Sequence, residues 1–277
     1  MKNFSHGDLV IPRLGFGTWK LKGDDAIDAV KIALDTGYRH IDTAAIYENE
    51  KEVGLALKEG GVAREDIFLT TKIWNDDIER SRIADAADRS LDHLGTDYVD
   101  LLLLHWPMTS RPIADQVQEL AEVKKAGKAR AIGISNYNAS QLTEALDACP
   151  DLACLQAEYH PELDQDPILN VVRNADMLFT AYSPLGRGDS LKHQVVKDIA
   201  EAHGKAPGQV VLRWMIQQPN VAAIPKATSR EHIEENFDIF DFELTDEEMK
   251  KIFALVEPDG RIIDPDWAPQ WDTGVAA

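Results

Sequence analysis

At 277 residues, 44% of them hydrophobic, the chain can bury a sizeable core as one large barrel or as two smaller domains. With 48 acidic against 29 basic residues its net charge is −19, which argues against a nucleic-acid surface and leaves any anionic ligand to a local cationic cluster. Two cysteines, Cys149 and Cys154, are too few for a disulfide framework, fit no zinc spacing and read as buried, reduced thiols.

The first segment, Met1–Leu14, is mixed polar and lacks the apolar run of a signal peptide, and no later stretch is long and apolar enough to span a bilayer. Cytoplasmic localisation, with no membrane or nucleic-acid partner, is the expectation. From Leu14 onward strand-like and helix-like segments alternate. Leu14–Gly17 leads into Asp24–Thr36, His40–Thr43 into Glu48–Glu59, Ile67–Ile73 into Ile78–Leu94, and Tyr98–Leu104 into Ile113–Ala126. Ala129–Ile134 then leads into Ser140–Ala148, Leu152–Glu158 into Pro167–Asn174, Met177–Tyr182 into Leu191–His203, and Val221–Ile224 into Arg230–Asn236. The run Val99–Leu104 is almost continuously aliphatic, as a parallel strand covered on both faces requires. Glycines 37, 95, 127 and 204 fall where helices should stop.

Eight such units in a chain of this length predict an α/β fold, a (β/α)8 TIM barrel. Two helices are extra to the repeat, Pro207–Gln217 and Leu244–Val256, and Glu257–Ala277 reads as a C-terminal loop. No Pro/Ser-rich linker interrupts the chain, so residues 1–277 are expected to form one domain. Gly15-Phe16-Gly17 opens like a dinucleotide fingerprint, but Lys20 stands where the third glycine belongs, which rejects a Rossmann domain.

In such a barrel the C-terminal ends of the strands converge on one mouth. Asp42, Tyr47, Lys72 and His105 all lie at or just past strand ends, so a carboxylate, a phenol, an ammonium and an imidazole should meet there. Tyr47 is then the proton donor. A free phenol titrates near ~10, and an adjacent ammonium from Lys72 is expected to bring it down. Asp42 would keep Lys72 charged and in place, and His105 would hold a substrate carbonyl oxygen beside the phenol. Trp19, Trp74 and Trp106, which follow strands one, three and four, together with Trp267 of the tail, are candidate walls of an aromatic pocket around Tyr47 and His105. Trp214, in a helical segment, reads as core, and Arg111 as solvated.

The motifs resemble those of the aldo-keto reductase superfamily along nearly the whole chain. They are Leu14-Gly15-Phe16-Gly17-Thr18-Trp19, then Gly37-Tyr38-Arg39-His40-Ile41-Asp42-Thr43-Ala44 with Tyr47, Thr70-Thr71-Lys72 and Leu104-His105-Trp106-Pro107. Gly133-Ile134-Ser135-Asn136, Tyr182-Ser183-Pro184-Leu185-Gly186 and Ile224-Pro225-Lys226 follow in the family's order, and the similarity is greatest to small bacterial members such as 2,5-diketo-D-gluconate reductases. The resemblance implies NAD(P)H-dependent reduction of a small carbonyl substrate, with Tyr47 as general acid assisted by Lys72 and Asp42 and with His105 orienting the carbonyl. It also implies cofactor contacts from Gly17, Thr18 and Trp19, from Ser135, Asn136 and Gln156 to the carboxamide, and from Tyr182 to the nicotinamide ring. Ser183, Leu185 and Gly186 would meet the pyrophosphate, Lys226 would add charge, and Ala227, Thr228, Arg230, His232, Glu235 and Asn236 would surround the adenosine. A monomer without a metal is the family-based expectation.

The chain departs from the family at the adenosine end. Where strongly NADPH-selective members carry a Ser or Thr and an Arg, this sequence has Ala227 and His232. A neutral imidazole cannot fork a phosphate as a guanidinium does, so NADP(H) use with relaxed acceptance of NAD(H) is expected. Two other classes stand beside the reductase. One is a cofactor-binding regulatory protein on the same fold. The other is a lyase with Lys72 as Schiff base, which Asp42 disfavours by stabilising the charged amine. A metal hydrolase lacks any His-x-His or His-Glu-x-x-His pattern.

Overall fold

A computed structural model describes residues 2–272. Its centre is a ring of eight parallel strands: β3 (Phe16–Gly17), β4 (His40–Asp42), β5 (Phe68–Ile73), β6 (Val99–Leu104), β7 (Ala129–Ser135), β8 (Leu152–Glu158), β9 (Leu178–Tyr182) and β10 (Val221–Ala223). They pair in chain order from β3 to β10. The ring closes where Leu14 bridges Ala223, with the Gly15 N–H donating to the Ala223 carbonyl at 2.9 Å and the Gly17 N–H to that of Pro225 at 3.0 Å. A Cβ on Gly17 would lie 2.9 Å from the Ile224 carbonyl oxygen, so the glycine that imitated a nucleotide fingerprint is there to let the first and last strands touch.

Helices α1 (Gly23–Thr36), α2 (Glu50–Glu59), α3 (Asn75–Glu79), α4 (Ile83–Leu94), α5 (Ile113–Lys125), α6 (Ala139–Ala148), α7 (Asp166–Asn174), α8 (Gln194–His203), α9 (Pro207–Gln217), α10 (Arg230–Phe237) and α11 (Asp246–Phe253) surround the strands. The (β/α)8 barrel, with α9 and α11 as extra helices, is the architecture the alternation called for. The aliphatic run of β6 is explained by its two faces. Leu101 and Leu103 join the barrel interior, while Leu102 and Leu104 pack outward under the helices. Gly95 and Gly204 end α4 and α8 in the left-handed conformation, φ 65° and 63°, as their positions suggested. Trp214 is buried in α9, in the core as read.

Two features were not expected. Residues of the segment read as mixed polar form an antiparallel hairpin, β1 (Asn3–His6) with β2 (Leu9–Pro12), turning at Gly7. Ile11 and the partly buried Phe4 and Leu9 cap the interior cluster that includes Phe68, Leu101 and Leu178, plugging the barrel at the N-terminal ends of its strands. The segment Ile78–Leu94 is not one helix, because Ser81 at φ 56° breaks it between α3 and α4. No helix among the described residues is long and apolar enough to cross a membrane. From Glu257 to Asp272 the tail is without regular structure, as read, and its Ile262–Trp267 stretch runs beside the mouth at the C-terminal strand ends; residues 273–277 of the expected loop lie outside the described residues.

Candidate active site

Asp42 ends β4 in register with Thr70 of β5, and Lys72 lies two residues further along β5 on the same face of that strand. The Lys72 ammonium is fully buried and donates to Asp42 Oδ1 at 2.6 Å and to the Thr43 carbonyl at 2.9 Å. It also donates to the Tyr47 phenol oxygen at 3.4 Å. The second carboxylate oxygen of Asp42 accepts from Gln156 Nε2 at 2.8 Å. Tyr47 closes a short 3₁₀ turn after β4, and its ring packs edge-on to His105 with centroids 5.8 Å apart. All four residues expected at the mouth therefore converge.

Burial and charge oppose each other here. Burial works against the Lys72 ammonium, but Asp42 outweighs it and the amine stays charged, its pKa raised. Burial, with help from Lys72, holds His105 well below its ordinary value, so the ring is neutral. Its Nδ1 is buried with no hydrogen-bond partner among the described residues. An unpaired acceptor there costs less than an unpaired donor, which favours the tautomer with its proton on Nε2. Tyr47 corrects the sequence reading. Burial raises the phenol, Lys72 pulls it down, and the net direction is up rather than down. Burial of that degree is invisible in sequence.

These groups open on a cavity of about 530 Å³ lined by Trp19, Trp74, Trp106 and Trp267 with Tyr47, His105, Asn136 and Tyr182. Trp267 packs edge-on against Trp106 at 4.8 Å and Trp74 at 6.2 Å, so the tail supplies one wall. Trp271 lies behind it, against Trp106 at 6.0 Å and under the Arg261 guanidinium. Trp19, 42% exposed, stands at the rim with the Lys20 ammonium 4.4 Å above its ring. Arg111 is turned away and bound to Glu119 and the Ile78 carbonyl. The sequence reading missed Ile46, Ile224 and the tail residues Ile262, Ile263, Asp264 and Pro265, which also line the cavity. A flank of apolar residues in a segment read as loop was the one available signal.

Of the residues the resemblance assigned to a cofactor, Gly17, Thr18, Trp19, Asn136, Tyr182, Ser183 and Lys226 border the same cavity. Asn136 donates to the His105 carbonyl at 2.9 Å and accepts from the Tyr182 hydroxyl at 2.7 Å. Asn136 and Ser183 adopt left-handed φ values of 64° and 50° just past β7 and β9, backbone strain of the kind that gathers at working sites. Ser135, Gln156, Leu185, Gly186, Ala227, Thr228, Arg230, His232, Glu235 and Asn236 lie outside the cavity lining. Gln156 has its amide nitrogen committed to Asp42. Arg230 is paired with Glu234 one helical turn on, at 3.2 Å, while Ser229 caps α10 by accepting the His232 N–H. Lys226 is exposed and forms no ion pair among the described residues. Among the described residues no cluster of His, Cys, Asp and Glu could hold a metal ion.

A parallel barrel with a buried ammonium–carboxylate pair, a phenol and a neutral imidazole at its mouth is the framework of a proton-donating oxidoreductase. The aldo/keto reductase family model matches residues 13–257, and the chain belongs to that family. It is 43% identical to the glyoxal reductase of Bacillus subtilis over 252 residues, 90% of this chain and 91% of that protein. It is 42% identical to the 9,11-endoperoxide prostaglandin H2 reductase of Trypanosoma cruzi over 267 residues, 94% of this chain and 93% of that protein. The aldose reductase structure from Schistosoma japonicum superposes with a TM-score of 0.87 at 33% identity, covering 94% of this chain and 93% of the other. The chain is thus a carbonyl-reducing oxidoreductase of the kind that uses NAD(P)H, and nothing among these relatives supports the regulatory reading.

Proposed function

We propose that the protein reduces small dicarbonyls, keto-sugars or keto-acids to alcohols, with Tyr47 as general acid. The observation that carries this reading is the Tyr47 phenol 3.4 Å from a buried ammonium, on the wall of an aromatic cavity it shares with His105. The cavity suits a nicotinamide nucleotide, with the flat Tyr182 ring on one wall and the exposed Lys226 ammonium at its edge. A reduced nicotinamide held beside Tyr182 and Lys226 would supply the hydride that reaches the carbonyl carbon. The His105 Nε2–H holds the carbonyl oxygen as its electron pair localises there. Tyr47, kept protonated at neutral pH by burial, gives its proton to that oxygen, and Lys72 then stabilises the phenolate. Asp42 holds Lys72 against the ring, and the tryptophans exclude water.

At the adenosine end Lys226, Arg230 and His232 would face a 2′-phosphate, with Ala227 giving it nothing. His232 lacks the guanidinium fork, and Arg230 already has Glu234 as a partner. NADPH is therefore used with weak discrimination against NADH. Consumption of each cofactor with methylglyoxal as substrate tests both parts. Turnover with a ratio of kcat/KM values under about 100, equivalent to about 2.7 kcal/mol, supports the reading, and a larger preference for NADPH rejects the relaxed-cofactor part.

A further inference from the structure

Outside the catalytic group lies a second cluster of buried ionisable side chains, on the alternating positions 158, 160 and 162 at the end of β8. Glu158, His160 and Glu162 are 0%, 1% and 6% exposed. Both ring nitrogens of His160 meet carboxylates, Nε2 to Glu158 Oε1 at 2.9 Å and Nδ1 to Glu162 Oε2 at 2.8 Å. A neutral imidazole has one N–H, so two carboxylate acceptors require the imidazolium.

The two carboxylates hold different segments, one that walls the cavity and one that lies outside its lining. Glu158 accepts the backbone N–H of Ile262 at 2.7 Å on one oxygen and that of Ile263 at 2.8 Å on the other. Those two residues begin the tail segment, through Trp267, that walls the cavity on the substrate side. Glu162 accepts from the Ser190 hydroxyl at 2.7 Å and pairs with His193 Nε2 at 2.7 Å, both in the segment that follows Ser183–Gly186. Gly186 packs against this pair so closely that a Cβ there would lie 2.5 Å from Ser190 Oγ and 3.2 Å from Glu162 Oε2. The Glu162 carbonyl also accepts the Glu257 N–H at 2.9 Å, tying down the start of the tail.

We infer that His160 and Glu158 are positioning residues for the reduction. The imidazolium holds the Glu158 carboxylate under Ile262 and Ile263, and so fixes the tail wall of the substrate pocket relative to the cofactor-side loop anchored on Glu162. The inference rests on reading the cavity as the carbonyl site. The described tail, residues 257–272, has no regular secondary structure to hold it. Two charge-assisted backbone hydrogen bonds at one point are what a loop wall of this kind needs to keep its shape. Burial disfavours the charged ring, but the two carboxylates outweigh it and raise its pKa. Burial also works against the Glu162 carboxylate, but hydrogen bonds from His160 and Ser190, with the charge of His160, outweigh it and hold Glu162 down to about 2. His160 faces Glu158 on β8 and Glu162 on the following loop; beyond them His193, ahead of α8, pairs with Glu162, and Tyr182 on β9 and Arg261 on the tail act on Glu158. Loss of the His160 proton would leave two carboxylates facing one another with a hydrogen bond missing, and the tail would loosen.

The unmutated protein gives the first test. Nitrogen-15 spectra of the histidine rings report whether His160 carries two protons at neutral pH, and amide hydrogen exchange reports the protection of Ile262 and Ile263. The expected result is a doubly protonated ring, with protection of those two amides falling as pH rises through its titration, after correction for intrinsic exchange. A singly protonated ring at neutral pH, or protection that ignores the titration, overturns the inference. The second test is Glu158→Gln, which keeps shape and removes charge. It should raise KM for methylglyoxal about tenfold while kcat and the Kd for NADPH change less than about threefold, with faster exchange confined to Ile262–Trp267. Equal loss in kcat and KM, or exchange that rises throughout the barrel, means a structural role only and also overturns it. The exchange readout needs no turnover, so a wrong carbonyl-site reading would show itself separately, as a protected tail on a protein that reduces nothing.

Discussion

Replacing Lys72 with methionine keeps the side chain's length and removes its charge. In the native site Asp42 is 1% exposed, and its carboxylate is held by the Lys72 ammonium at 2.6 Å and by the Gln156 amide at 2.8 Å. Without the ammonium, a buried carboxylate keeps one neutral donor. Removing one member of a buried pair typically costs about 3–5 kcal/mol. At about 2 °C per kcal/mol for a chain of this size, Tm should fall by roughly 6–10 °C. The total stability of a domain, about 5–15 kcal/mol, leaves the variant folded in most of that range. Lys72→Met combined with Asp42→Asn removes both charges, and should recover at least about 2 kcal/mol of the loss, because most of the cost is the stranded carboxylate rather than the missing attraction. Urea unfolding followed by circular dichroism on the wild type, both single variants and the double variant closes the cycle. A double variant no more stable than Lys72→Met would refute the reasoning, since the stranded charge would then not be the source of the loss.

His105→Ala should raise KM for a dicarbonyl and lower kcat while leaving NADPH affinity near its wild-type value; steady-state kinetics with a separate fluorescence titration of NADPH decides it, and a pure loss of cofactor affinity contradicts the assigned role. The acid side of the stability curve gives another outcome. Burial depresses the pKa of both His40 and His105, so the folded chain refuses protons that the unfolded chain accepts below about 6.5. Stability should therefore fall as pH drops through that value, and His105→Ala should flatten the slope by up to about 1.4 kcal/mol per pH unit; an unchanged slope would mean that His105 titrates normally in the folded state.

What the sequence made legible was whatever depends on local order. The apolar run Val99–Leu104, the glycines after the helices and the strand-end positions of Asp42, Lys72 and His105 follow from periodicity, so the barrel and the meeting of these side chains at its mouth were readable together. Where long-range packing decides, reading along the chain failed. The hairpin Asn3–Pro12 consists of two four-residue strands with mixed polarity, and only the open barrel end beneath it gives Ile11 a place to be buried. The tail is tied down by residues about a hundred positions earlier, among them Glu158, which accepts the backbone N–H groups of Ile262 and Ile263. The direction of the Tyr47 shift failed for the same reason: the charge of Lys72 is written in the sequence, but the burial that outweighs it is not.

The most direct measurement of the central claim compares wild type with Tyr47→Phe in NADPH consumption with methylglyoxal, alongside NADPH binding by fluorescence. A general acid contributes about 10²–10⁴-fold, so the variant should lose at least about a hundredfold in kcat while binding NADPH as the wild type does. Retention of most of kcat would mean that another group protonates the carbonyl oxygen, and the assignment built on Tyr47, Lys72 and Asp42 would fall.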